Sequence, residues 1–228
     1  MAKNDNLTDF LTDLANTIRT KKGTSSPINP QDFSSEIASI GEDSGDEQLF
    51  KGLIERTLSN IVIPSGTTEI GKSVFRDYTT LTSVMIPSSV RSILSSAFYG
   101  CNGLESLIID EGVTLIKDST FTNCTKLTSV VIPNSVITLE SGIFHNCSNL
   151  TDITIGSGVT SMGMNTLNIG STTNKATIKM LPSNPPSIYS GTMTPTKIEK
   201  IIVPKGCLSV YQSATNWSAY ASYMEEAE

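Results

Sequence analysis

Residues 84–106 read VMIPSSVRSILSSAFYGCNGLES, and the 23 residues after them read LIIDEGVTLIKDSTFTNCTKLTS. Laid one above the other, they place Val84 over Leu107, Ile86 over Ile109, Val90 over Val113 and Ile93 over Ile116. Phe98 then falls over Phe121, Cys101 over Cys124 and Leu104 over Leu127. The same length fits on both sides, as IVIPSGTTEIGKSVFRDYTTLTS from Ile61 and VVIPNSVITLESGIFHNCSNLTD from Val130. A degenerate fifth copy, ITIGSGVTSMGMNTL, opens at Ile153. Four full-length copies without an insertion hold a register that chance does not keep. One copy cannot bury its own apolar side, so the copies must stack and form columns of like residues on like.

Within a copy, LTSVMIP alternates Leu81, Val84 and Ile86 inward with Met85 outward and ends at Pro87, which stops the ladder. That is a short strand, and successive strands should lie parallel at about 4.8 Å. The Ser-, Gly- and Asn-rich pieces between columns read as corners. The pattern I-P-x-x-V-x-x-I-x-x-x-x-F-x-x-C-x-x-L-x-x-[VIL] resembles the BspA-like leucine-rich repeats over roughly residues 60–160. The resemblance implies a mainly β leucine-rich-repeat solenoid, right-handed, with a parallel sheet on one face. Thr67 for the usual Val, Tyr78 for Cys, and Asp110 and Gly156 for Pro are its departures.

The solenoid is expected over residues 49–204, clearest at 61–162, with strands at Ala176–Met180 and Ile198–Val203 beyond the regular period. Residues 205–228 read as a helical cap carrying Tyr211, Trp217 and Tyr220, and resemble the closing helix of the same family. Residues 1–45 read as two helices, with an acidic, glycine-containing linker to about residue 48. Leu7, Phe10, Leu11, Leu14 and Ile18 follow helical spacing and are candidate docking or oligomerisation residues; a two-heptad coiled coil and a helix docked on its own hairpin partner both fit. LTDLANTIRTKKGTSSPINPQDFSSEIASI, residues 11–40, resembles a short helical segment of tail-associated structural proteins in phages of gut bacteria.

Chemistry is sparse. A net charge of -6 and 17% charged residues give no footprint for nucleic acid. No apolar run approaches the roughly 18 residues of a membrane helix, and no export signal is visible at the start, so the chain is expected to be soluble and made in the cytoplasm. His145 is the sole histidine, expected at a solvated corner, and Cys147 beside it is expected inward and inert. No recurrent acidic column, phosphate loop or dinucleotide fingerprint is present, so no catalytic residue, cofactor or metal is expected. Asn123, Asn146 and Asn149 head Asn-x-Ser/Thr triplets in corners.

Surface remains. Val62, Met85, Ile108, Val131 and Thr154 share the outward strand position, beside Ser83, Ser106, Ser129 and Asp152. This apolar row reads either as a partner-binding patch or as ordinary strand propensity on a face covered by the chain's own ends or a symmetry mate. The N-terminal resemblance implies a non-enzymatic virion protein of tail-fibre or baseplate type, oligomeric, docked on other virion proteins and facing a host-surface glycan or protein. A bacterial cell-surface leucine-rich-repeat adhesin is the alternative.

Overall fold

A computed structural model describes residues 59–63, 66–170 and 175–228. The calls on residues 1–58, including Leu7, Phe10, Leu11, Leu14 and Ile18, lie outside the described residues. The chain winds as a parallel β-solenoid of about seven turns. One line of strands comprises β1 (Asn60–Val62), β3 (Ser83–Ile86), β5 (Ser106–Ile109), β7 (Ser129–Ile132) and β9 (Asp152–Ile155). It continues through β11 (Ala176–Met180), β13 (Ile198–Val203) and β14 (Met224–Glu226). Along the 23-residue coils the pairing is column on column, as with Ser83 opposite Ser106 and Ile86 opposite Ile109. Val84 and Ile86 are buried while Met85 between them is exposed, as period-2 alternation requires.

The turns carry a second parallel sheet that the sequence reading takes for corners. It consists of β2 (Glu69–Ile70), β4 (Ser92–Ile93), β6 (Leu115–Ile116), β8 (Thr138–Leu139), β10 (Ser161–Met162) and β12 (Ser187–Ile188), in unbroken spatial order. Each strand is two residues long, so only one side chain points inward, and that is the Ile70, Ile93, Ile116, Leu139, Met162 column.

Between these lines the backbone makes its sharpest corners with left-handed residues. Ser73, Ser96, Ser119, Gly142 and Asn165 have φ between 55° and 68°, as one column. Asp77, Gly100, Asn123, Asn146 and Gly170 form the second, between 56° and 73°. Asn, Asp and Gly tolerate this region, which explains the residue before each cysteine in FTNC and FHNC. Gly100 is further constrained: a Cβ there would stand 2.1 Å from the Asp77 carboxylate oxygen.

The core is a set of stacks. Phe75, Phe98, Phe121 and Phe144 lie nearly parallel, with ring centroids 5.0, 5.4 and 5.7 Å apart. Burying each ring contributes roughly 1.5–3 kcal/mol before conformational entropy is charged.

The C-terminus corrects the expected capping helix. Instead of one helix, α1 (Leu208–Ser213) is six residues long, a 3-10 turn spans Ser218–Tyr223, and β14 adds a parallel strand to β13. Ala214, extended at φ -70° and ψ 148°, ends the helix, and Asn216, at φ 64°, follows with its side-chain amide donating to the Ile188 carbonyl at 2.6 Å. Trp217, Tyr211 and Tyr220 close the last coil edge to face and are buried. Each polar tip finds a carbonyl: Tyr211 Oη donates to Pro182 at 2.7 Å, Trp217 Nε1 to Pro186 at 2.7 Å, and Tyr220 Oη to Met193 at 3.0 Å.

Candidate interaction face

The repeated cysteines are the first place to look for chemistry. Cys101, Cys124 and Cys147 are buried. The thiol of Cys101 donates to the Phe75 carbonyl at 3.0 Å, Cys124 to Phe98 at 3.4 Å and Cys147 to Phe121 at 3.1 Å. Sulfur is therefore more than filling, since each thiol ties its coil to the coil before. Burial pushes the Cys147 thiol up to about 12, and burial, with its two neighbouring thiols adding, pushes Cys124 well above the ordinary thiol range. Protonated thiols engaged with carbonyls are poor nucleophiles.

His145 does not sit at a solvated corner as expected. It is half-buried, and its Nδ1 is buried without a hydrogen-bond partner. The Cys147 thiol points at Phe121 O, so this pair is not a nucleophile and base. The corner asparagines are also committed: Asn146 donates to the Asn123 side chain at 2.8 Å, Asn123 to the Tyr99 hydroxyl at 3.1 Å, and Asn149 to the Thr125 carbonyl at 2.8 Å.

What the fold presents is the outer side of the long-strand sheet. Met85 is 41% exposed, Ile108 46% and Val131 62%, while Thr154 is half-buried. The backbone register places Val62 beside Met85, Met85 beside Ile108, and Val131 beside Thr154. The row then continues through Lys179, Ile202 and Glu225. Sequence reasoning stops at Thr154 because the strict period ends there; the alternation in ATIKM and IEKIIV carries the signal for Lys179 and Ile202. The neighbouring row is Ser83, Ser106, then Ser129, Asp152, Thr177 and Lys200.

The row is not one ladder. β1, β3 and β5 form one sheet and β7, β9, β11, β13 and β14 another, so the pairing stops between Ile108 and Val131. Leu107 and Ile109 are each 8% exposed there, against 2% and 0% for Val84 and Ile86. The short-strand sheet continues beneath the break through Ile116 and Leu139.

Charge borders the apolar row. Glu105 precedes β5 and Asp110 follows it, both exposed, with Ile108 between them. Lys126 meets Glu105 at 3.0 Å, an exposed pair of little energetic weight. The Asp152 carboxylate accepts from the Thr151 hydroxyl at 2.7 Å. At the next turn Glu111 accepts from Asn134 N at 3.0 Å and Ser135 N at 2.8 Å; the Asn134 backbone N–H first, then Ser135, holds its carboxyl below the usual range.

Residues 46–172 match the family described as BspA type leucine rich repeat region, and the chain belongs to that family. No curated protein matches the chain. Among solved structures, a leucine-rich repeat protein of T. pallidum is 21% identical, with 73% of this chain and 85% of that one covered and a TM-score of 0.52. A leucine-rich repeat protein of Bacteroides ovatus is 21% identical over 75% of this chain, with a TM-score of 0.47. This chain spans 43% of that protein's length. A leucine-rich cell surface protein of Faecalibacterium prausnitzii is 16% identical, with 75% and 88% covered and a TM-score of 0.35. The T. pallidum likeness supports the solenoid fold.

Proposed function

We propose that this protein is a non-enzymatic binding scaffold, displayed at a bacterial cell surface, whose long-strand sheet holds a partner macromolecule. The observation that carries the reading is the row Met85, Ile108 and Val131, apolar and exposed at successive coils of one sheet face. Membership in the repeat family supports it, because stacked repeats build extended binding surfaces more readily than catalytic pockets. The virion reading rests on the N-terminal segment, outside the described residues, and draws no support from the family or the structures named above. A bacterial leucine-rich repeat protein fits them at least as well.

Two measurements test the proposal. Intact producing cells treated with protease should lose the protein while a cytoplasmic marker survives; recovery only in purified phage particles would replace the surface reading with the virion one. An Ile108→Asp/Val131→Asp variant should stay folded and lose attachment to host cells. Undiminished attachment would move the binding site elsewhere.

A further inference from the structure

The border of the row carries information about what covers it. On the sheet face of the second to fifth coils, Glu105, Asp110 and Asp152 are exposed and Lys126 pairs with Glu105; one coil further on, the outward row turns basic at Lys179. Glu111 and Arg91, at the turn beyond, offset one another in charge. The face is thus an aliphatic stripe flanked by hydroxyls inside an anionic frame.

Spacing narrows the partner further. Met85 to Ile108 is one paired coil step of about 4.8 Å, and Ile108 to Val131 is a second step across the unpaired break, so the row spans at least about 10 Å. A helix brings residues i, i+3 or i+4, and i+7 onto one side over roughly 10.5 Å. An extended strand places its matching residues i, i+2 and i+4 over about 13 Å, out of step with the coils. The two carboxylates that bracket β5 are five residues apart, so about 16 Å separates them along the strand, wider than a helix of roughly 10–12 Å. Basic side chains on both flanks of such a helix would reach them.

Resting on the reading of this face as the binding face, we infer that its partner is a cationic amphipathic helical segment, lying along the solenoid axis with its apolar stripe on Met85, Ile108 and Val131. The chain's own candidate stripe, Leu7 to Ile18, is the wrong occupant by charge, since Asp9 and Asp13 lie among its apolar residues.

The test uses the full chain and fluorescently labelled helical peptides of about four turns. One peptide carries a leucine stripe flanked by lysines, the second replaces each lysine with glutamate, and the third replaces each leucine with serine. Fluorescence anisotropy should show saturable binding of the first alone, weakened by raised salt as exposed charge pairs are. Ile108→Ser/Val131→Ser should weaken it by about tenfold or more, as removal of central apolar anchors does. Ile137→Ser, an exposed aliphatic residue on another side, should leave it unchanged. Equal binding of the glutamate peptide, or of the serine peptide, would overturn the inference. So would sedimentation showing a dimer that Ile108→Ser/Val131→Ser dissolves, because the occupant would then be a second copy. If the lysine–leucine peptide fails while the aspartate variant above still abolishes host-cell attachment, the face remains the binding face and only the partner class falls.

Discussion

The regular coils and the C-terminal closure solve the same problem, an exposed core end, by opposite means. Between Val84 and Leu150 each apolar contact recurs 23 residues later, so Phe98, Phe121 and Phe144 do the same work three times over. At the end, Trp217 is the sole tryptophan of the chain, and three aromatic tips reach three particular carbonyls. Repetition spreads stability over many equivalent contacts; closure concentrates it in a few unlike ones.

The comparison can be broken most decisively at the cap. Trp217→Ala should cost about 4 kcal/mol, as large-to-small aromatic changes do, and hydrogen exchange should show the last coils opening first. Uniform loss of protection along the solenoid would mean that the ends are not energetically separate. Next in size is an alkaline effect shared by the coils and the cap, where burial raises the Tyr211 and Tyr220 hydroxyls as well. The Cys147 thiol is raised from 9.0 to about 12, so its contribution is fully present below pH 9 and is lost as pH rises toward 12. The urea midpoint of the full chain should fall across that window, and Cys147→Ala should make the fall shallower, the Cys124 thiol keeping part of it. Phe121→Leu should cost about 1–2 kcal/mol, because it removes three buried carbons and two ring stacks but leaves a side chain that still fills most of the site. The smallest effect belongs to Glu111→Gln. The lowered carboxyl stabilises the fold above its unfolded pKa and stops doing so as pH falls through its folded value. The variant should therefore soften the acid limb slightly, and in the parent protein the Glu111 carboxyl should titrate low by NMR.

The parts of the structure legible in sequence were those where side chains alternate or recur. The columns from Ile63 to Leu150 were readable because identical residues return at identical spacing. The second sheet was not, since a two-residue strand such as Ser92–Ile93 cannot show a period. The left-handed corners were half visible: Asn123, Asn146 and Gly100 announce them, whereas Ser73, Ser96 and Ser119 do not. The cap's short helix and its aromatic trio are legible in sequence; the end of that helix at Ala214 is not, because the tyrosine and tryptophan spacing continues past it. For the interaction face, alternation reveals which side chains point outward, while the interruption between β5 and β7 is a matter of backbone pairing that side-chain pattern does not encode.

Each buried cysteine donates backward, to a carbonyl 26 residues earlier, and each register pair in the regular coils joins residues 23 apart. A duplicate of residues 107–129, spliced in after itself, would meet acceptors and rings of the kind it offers in turn. Length is therefore a quantity this architecture leaves free, to be set by gene duplication and unequal exchange, while the closing aromatics have to be inherited as one block.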